Sequence, residues 1–295
     1  MNQRGDIMSL SRKLGMKRSK RFHNILYHVL VCLFGFLMIY PLLWMVMSSF
    51  KESSSIFRES YRLIPDTIHF ENYINGWKGF GGYTFSVFFS NSFLIAIVAT
   101  VGAVFSSAII AFGFARLHFR GQGFWFSCVM LTMMLPFQVI MIPQFLIFKQ
   151  LGWVNTILPL TVPYFFGQAF FIFQNMQFIR GIPTELDEAA RIDGCTYYGI
   201  FLRIILPLIK PSIVTTAIFS FMWRWDDFFG ALLYLNSPAK YTLSIALKMF
   251  SDPSSQSDWG SMFAMSTLSI IPIFLIFLFF QKYLVEGIST EGLKG

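Results

Sequence analysis

Phe22-His-Asn-Ile-Leu-Tyr-His-Val-Leu-Val-Cys-Leu-Phe-Gly-Phe-Leu-Met-Ile-Tyr-Pro-Leu-Leu-Trp-Met-Val-Met-Ser-Ser-Phe50 runs for 29 residues without one Asp, Glu, Lys or Arg. A helix needs about 20 apolar residues to cross a hydrocarbon core of roughly 30 Å, so this stretch is long enough to span a bilayer. Reading outward, the pattern recurs. Residues 79–115, 121–148, 150–179 and 259–281 lack the same four residue types, and 212–235 is interrupted only by Arg224, Asp226 and Asp227. Spans are expected near 25–48, 87–114, 124–147, 158–179, 212–234 and 260–281. The runs are unbroken rather than alternating, which argues against a membrane β-barrel.

Composition agrees. Charged residues make up 13% of the 295, hydrophobic residues 55%, and 37 are Phe, whereas soluble domains carry roughly 25% charge. So few charges cannot cover the surface of a soluble globule, and a disulfide scaffold, a disordered chain and a nucleic-acid binder are likewise excluded. The net charge of +8 is concentrated at one end. Arg4, Arg12, Lys13, Lys17, Arg18, Lys20 and Arg21 precede the first span, and short Lys/Arg-rich flanks stay in the cytoplasm. Alternating from that end puts 15 Lys/Arg inside and seven outside. The fold class expected is therefore an all-α integral membrane protein of six transmembrane helices with both termini cytoplasmic. The first run far exceeds the 7–15 residues of a signal-peptide core and lacks a small-residue cleavage site, so it reads as an uncleaved anchor. Four segments follow: a basic tail 1–24, a first helix with its outer loop 25–86, a core 87–281 containing a cytoplasmic loop 180–211, and a tail 282–295.

Within the spans, Ala99, Ala103, Ser107, Ala111 and Ala115 recur every fourth residue and so share one helix face. Small side chains let backbones approach closely in lipid, which makes this a packing seam, expected inside the chain rather than between subunits. Pro136, Pro143, Pro159 and Pro163 each remove a backbone donor and bend a helix, as static kinks or as moving parts. Arg224, Asp226 and Asp227 fall roughly 18 Å into the fifth span at 1.5 Å per residue. Ionisable groups at such depth face partners or a watery path. Arg224 and Asp227, three apart, can pair, leaving Asp226 pointing elsewhere. The triplet is either an interfacial cluster or part of a translocation path.

The loop Arg180-Gly-Ile-Pro-Thr-Glu-Leu-Asp-Glu-Ala-Ala-Arg-Ile-Asp-Gly194 carries helix signals. Thr184 and Asp187 form a capping box, Ala189 and Ala190 favour helix, and Gly194 supplies a left-handed stop. Thr196 then caps a second short helix with Ile200, Ile204 and Leu208 at helical spacing, broken at Pro207. Four basic and four acidic residues balance over this loop, which suits a protein partner better than an anionic lipid surface.

Glu188, Ala189, Ala190, Gly194, Ile204, Leu206 and Pro207 match the E-A-A-x3-G-x9-I-x-L-P pattern without a gap. By that loop the chain resembles the permeases of ABC importers, with a type I importer permease fold. Leu151-Gly-Trp-Val-Asn-Thr156, the text from Ile182 to Gly194 and the terminal Gly292-Leu-Lys-Gly295 resemble the carbohydrate branch, the maltose-type inner-membrane permeases, and the likeness extends from about Phe22 to the end. The resemblance implies that the loop is a coupling helix docking in a cleft of a separate ATPase. Glu188 would make polar contact there, Ala189 and Ala190 would keep the contact face slim, and Gly194 would permit the turn. It implies as partners a second related permease, two ATPase copies and an extracellular or periplasmic solute-binding protein meeting residues 236–258, with tail 282–295 reaching toward the ATPase. It also implies a multi-pass protein of the bacterial plasma membrane that carries a carbohydrate, an oligosaccharide by family type.

The chain has no G-x-x-x-x-G-K-[ST] phosphate loop, and its glycines at 79, 81 and 82 read as a loop. His23, His28, His69 and His118 are scattered, no H-E-x-x-H occurs, and Cys32, Cys128 and Cys195 lie apart. The expectation is a nonenzymatic subunit that binds no cofactor itself, ATP and Mg being used by the partner ATPase. The rival readings are a permease for peptides, phosphate or amino acids, which would share the loop, and an autonomous secondary carrier or membrane enzyme, which would not need it.

Overall fold

A computed structural model describes the backbone of residues 3–251 and 258–292 and the side chains of 23–251 and 258–283. Basic residues 4–21, tail residues beyond 283 and part of the outer segment 236–258 thus lie outside the described side chains. Among the described residues the fold is all helical, its one strand-like contact being the isolated bridge Phe80–Tyr83. The principal helices are α1 (Gln3–Ser48), α2 (Glu71–Lys78), α3 (Phe85–Arg116), α4 (Gln122–Met134), α5 (Phe137–Gln150), α6 (Ala169–Arg180), α7 (Glu185–Ile192), α8 (Tyr197–Leu208), α9 (Lys210–Trp225), α10 (Phe229–Tyr234), α11 (Leu243–Phe250) and α12 (Trp259–Gly292).

Three stretches, His23–Ser48 of α1, α3 and Trp259–Tyr283 of α12, are each long and apolar enough to cross a membrane. The pairs α4 with α5 and α8 with α9 qualify when each is taken as one bent span, giving up to five. The expected third and fourth spans are therefore not single rods. At the third, Pro136 lacks an amide hydrogen and crowds the preceding residue. Leu135 accordingly takes an extended backbone, φ −78° and ψ 118°, and α4 and α5 diverge by 103°. Pro143, in contrast, is accommodated inside α5. At the fourth, Gly167 at φ +87° separates the short helical turns of 158–166 from α6. The fifth parts likewise into α9 and α10 around residues 226–228.

The long helix α3 is the spine. Ala99, Ala103, Ser107 and Ala111 of its small-residue face are wholly buried inside this chain, and α3 packs against α6, α9 and the turns at 158–166. The seam also repairs the broken fourth segment. Ser106 Oγ donates to the Tyr164 carbonyl at 3.0 Å and Ser107 Oγ accepts from the Gln168 amide at 3.1 Å, giving partners to backbone groups that a regular helix would have satisfied. Beside Gly102 lies the Phe165 ring, so close that a Cβ there would meet it at 2.5 Å. The helix α12 packs on α9 and α2 and more lightly on α1. Around its N-terminal half, Phe85, Phe88, Trp225 and Met265 form one buried cluster. A second cluster joins the C-terminal end of α3 to α6 and to the loop carried between α6 and α9.

Candidate functional site

Residues 180–209 form a folded unit seated on the C-terminal ends of α3 and α6. Its first helix, α7, begins after Pro183 as expected, but Thr184 makes no side-chain cap. Asp187, expected to complete that box, turns instead toward Arg116, the last residue of α3. Arg116 Nε lies 2.5 Å from Asp187 Oδ2, out of line for a hydrogen bond, while its Nη2 donates to the Ile182 carbonyl at 2.7 Å. A buried guanidinium offers both attraction and several donors, and it outcompetes the Thr184 backbone amide, the partner a capping box would supply, for the carboxylate.

The C-terminal end of α7 follows its sequence signal closely. Gly194 has φ +80°, its amide reaches the Arg191 carbonyl at 3.0 Å, and the Cys195 amide reaches back to the Ala190 carbonyl at 2.9 Å. These bonds close the helix in the manner of a Schellman turn. Thr196 does cap α8, its hydroxyl accepting from the Gly199 amide at 3.3 Å. That helix then widens into a π turn over Phe201–Ile205 and continues through Pro207, so the break falls at Ile209 rather than at Pro207 itself.

Folding this way divides the motif into two faces. Ala190, Ile200, Phe201, Ile205 and Ile209 are buried against Ala111 and Phe112 of α3 and Met176 and Ile179 of α6, with the Phe112 and Phe201 rings 5.2 Å apart. Glu188, Ala189, Gly194 and Pro207 face outward, and Ile204 and Leu206 are half-buried. Of the two alanines, then, Ala189 is on the outer face and Ala190 is locked inside. The same loop exposes large apolar groups that spacing alone did not single out: Ile192 is 87% exposed and Tyr198 81%. The Arg191 guanidinium lies over the Tyr197 ring at 5.1 Å.

The second candidate cluster sits where α9 gives way to α10. Arg224 Nη1 is 3.0 Å from Asp227 Oδ2, donates also to the Tyr164 hydroxyl, and its guanidinium lies 4.6 Å from that ring's centre. Asp227 Oδ1 accepts from the Gly230 amide at 2.9 Å, capping the first turn of α10. Ser244 Oγ donates to the Asp227 carbonyl at 3.1 Å, tying in α11. Arg224 and Asp227 are thus paired as expected and committed to holding the helix break. Asp226 is exposed, and its carboxylate has no hydrogen-bond or ion partner among the described residues. Tyr164, which sequence reasoning passed over, arrives from the broken fourth segment, 60 residues away.

Residues 103–290 match the family described as binding-protein-dependent transport system inner membrane component, and the chain belongs to it. It is an ABC importer permease of the carbohydrate branch, a transport subunit rather than an enzyme. Among curated relatives, the probable ABC transporter permease protein YurM of Bacillus subtilis (strain 168) is 38% identical over 258 residues, covering 87% of this chain and 84% of that protein. The arabinooligosaccharides transport system permease protein AraQ of Halalkalibacterium halodurans is 35% identical over 264 residues, with 88% and 93% covered. Among solved structures, a bacterial ABC transporter involved in the import of the acidic polysaccharide alginate superposes with TM-score 0.77 at 24% identity, over 90% of this chain and 98% of that one. This last likeness is one of fold.

Proposed function

We propose that this chain is one of two permease subunits of an ATP-driven importer for oligosaccharides in a bacterial plasma membrane. The observation that carries the reading is the two-faced loop. A buried face built on Ala190, Ile200 and Ile205 fixes it to α3 and α6, while Glu188, Ala189, Ile192 and Tyr198 are turned outward. An exposed carboxylate with aromatic and aliphatic neighbours suits a protein cleft, since apolar anchors inside a polar rim carry most interface energy. The partner in that cleft is an ATPase subunit, two copies serving two permeases, and it uses the ATP and Mg that this chain has no loop to hold. Closure of the ATPases moves the loops, and the spans alternate between outward and inward openings.

Six crossings with both termini inside follow if residues 158–180 are counted as a span repaired by Ser106 and Ser107. The outer segment 236–258 then faces a substrate-delivering binding protein. Asp226 is the member of the charge cluster open to a passing sugar, whose hydroxyls donate to a carboxylate. Oligosaccharides are favoured because named relatives serve arabinooligosaccharides, diacetylchitobiose and trehalose.

Two measurements test this. A photo-crosslinker at Glu188 in intact cells should capture an ABC ATPase. Uptake by a deletion strain should fail for one of arabinotriose, diacetylchitobiose or trehalose and return with the intact gene. An empty crosslink overturns the coupling role, and unchanged uptake of all three overturns the choice of cargo among these sugars.

A further inference from the structure

Arg116 ends the spine helix α3 and is the point at which that helix grips the loop. Its side chain is 7% exposed and that of Asp187 14%, so the pair is shielded from solvent and from salt. One guanidinium engages two separate places: the carboxylate of Asp187 in the first turn of α7, and the carbonyl of Ile182 in the strand of chain leading into it. A planar fork with several donors can hold both at once, whereas an ammonium behaves as a single point. Asp187 also lies in the N-terminal turn of α7, where a negative charge is favoured by the helix dipole.

Two further contacts stiffen the same corner. Gln122 Nε2, from the first turn of α4, donates to the Phe114 carbonyl at 2.8 Å. Ala190, three residues beyond Asp187, is buried in the cluster that contains Ala111 and Phe112. Helix α7 therefore meets α3 through an ion pair on one turn and an apolar contact on the next. The neighbouring carboxylates have opposite assignments, Asp187 facing inward and Glu188 outward.

We infer that Arg116 and Asp187 form a rigid joint that makes α7 and α3 move as one body, so that displacement of the loop is delivered to the spine of the permease. The inference rests on the coupling reading above and concerns positioning residues, neither of which touches cargo or nucleotide. Breaking the joint leaves the loop attached by its apolar face alone, free to tilt without carrying α3.

The test uses the complete complex, with second permease and ATPase, in lipid nanodiscs. Cys32, Cys128 and Cys195 are replaced, and spin labels are placed at Glu185→Cys on α7 and Ile109→Cys on α3, both exposed positions. Distances are read without nucleotide and after trapping with ATP and vanadate. With Arg116 and Asp187 intact, one narrow distance is expected in both states. In Arg116→Ala, Asp187→Asn or Arg116→Lys, trapping should shift it by about 2 Å or more, the scale of helix displacements at moving interfaces. The double exchange Arg116→Asp with Asp187→Arg should restore the single distance. A changing distance in the intact complex, or single variants as invariant as the parent, overturns the joint. Failure of the ATPase to copurify with the unaltered permease overturns the coupling reading instead. Asp187→Asn, of the same shape as the parent, keeps the test open should Arg116→Ala not assemble.

Discussion

Ser212 Oγ on α9 donates to Asn175 Oδ1 on α6 at 2.7 Å, and both residues are wholly buried. The amide nitrogen of Asn175 is also spoken for, reaching the Phe171 carbonyl at 2.9 Å and Thr216 Oγ1 at 3.2 Å. Ser212 and Thr216 lie one turn apart on α9, so a single asparagine reads two rungs of the facing helix and sets its register. Interhelical hydrogen bonds in membranes contribute roughly 0.6–2 kcal/mol each. Asn175→Leu should therefore lower unfolding stability by about 1–2 kcal/mol, and Ser212→Ala by less, since only one contact is lost. Thermal unfolding of purified protein in detergent, followed by tryptophan fluorescence, checks the ranking.

Gly194 has open space where a Cβ would stand, with nothing within 4 Å. The cost of replacing it is thus backbone strain at φ +80° and not crowding, about 1–2 kcal/mol for an ordinary residue. Asn tolerates that region better than a β-branched residue. Gly194→Asn should retain most uptake, while Gly194→Val should hydrolyse ATP without moving sugar and still insert in the membrane. Parallel assays of hydrolysis and uptake in proteoliposomes distinguish the two. Equal uptake in both variants would contradict the role of the turn.

Asp226 and Asp227 are neighbours with different work. Removing the Asp227 side chain takes away the cap on α10 and strands Arg224, so Asp227→Ala should cost more than the roughly 1 kcal/mol of a lost cap. Asp227→Asn can still accept from the Gly230 amide and should fall between. Asp226→Asn, which breaks no contact among the described residues, should melt with the parent but carry sugar more slowly. A melting shift in Asp226→Asn, or unchanged transport by it, would remove Asp226 from the path.

The carboxylates at 187 and 188 give a second contrast. Asp187→Asn leaves the shielded Arg116 without its counter-charge, and breaking one side of a buried pair costs about 3 kcal/mol or more. Glu188→Gln loses nothing inside the chain, so its stability should be unchanged while capture of the ATPase weakens. Copurification at increasing salt, beside a melting curve for each variant, reads both effects.

The long uncharged runs made the membrane class readable because lipid imposes one simple demand, and α1, α3 and α12 met it as drawn. The seam on α3 was equally plain, since spacing by four fixes a face. Breaks were harder to foresee. Pro136 and Pro143 look alike in sequence, yet only the first opens its helix, and no local signal separates them. Gly167 gave no warning at all. In the loop, Gly194 and Thr196 behaved as local signals should, whereas Thr184 and Asp187 did not. A capping box is a local preference, and Arg116, 71 residues earlier, offered Asp187 a stronger partner that no short window contains. The inward turn of Ala190 was hidden likewise, for two adjacent alanines differ only in where the helix axis lies. Asn155 shows the same limit from another side. Its φ of +59° and its bonds to residues 234–237 explain that stretch of the Leu151–Thr156 text as a stitch between distant loops.

Because Ala99, Ala103, Ser107 and Ala111 are already trimmed almost to the backbone, the helices beside them have no cushion of side chains to squeeze. Closer approach is stopped by main-chain atoms. Compression across this face of α3 is therefore resisted by backbone meeting backbone, a hard stop where a bulkier seam would yield.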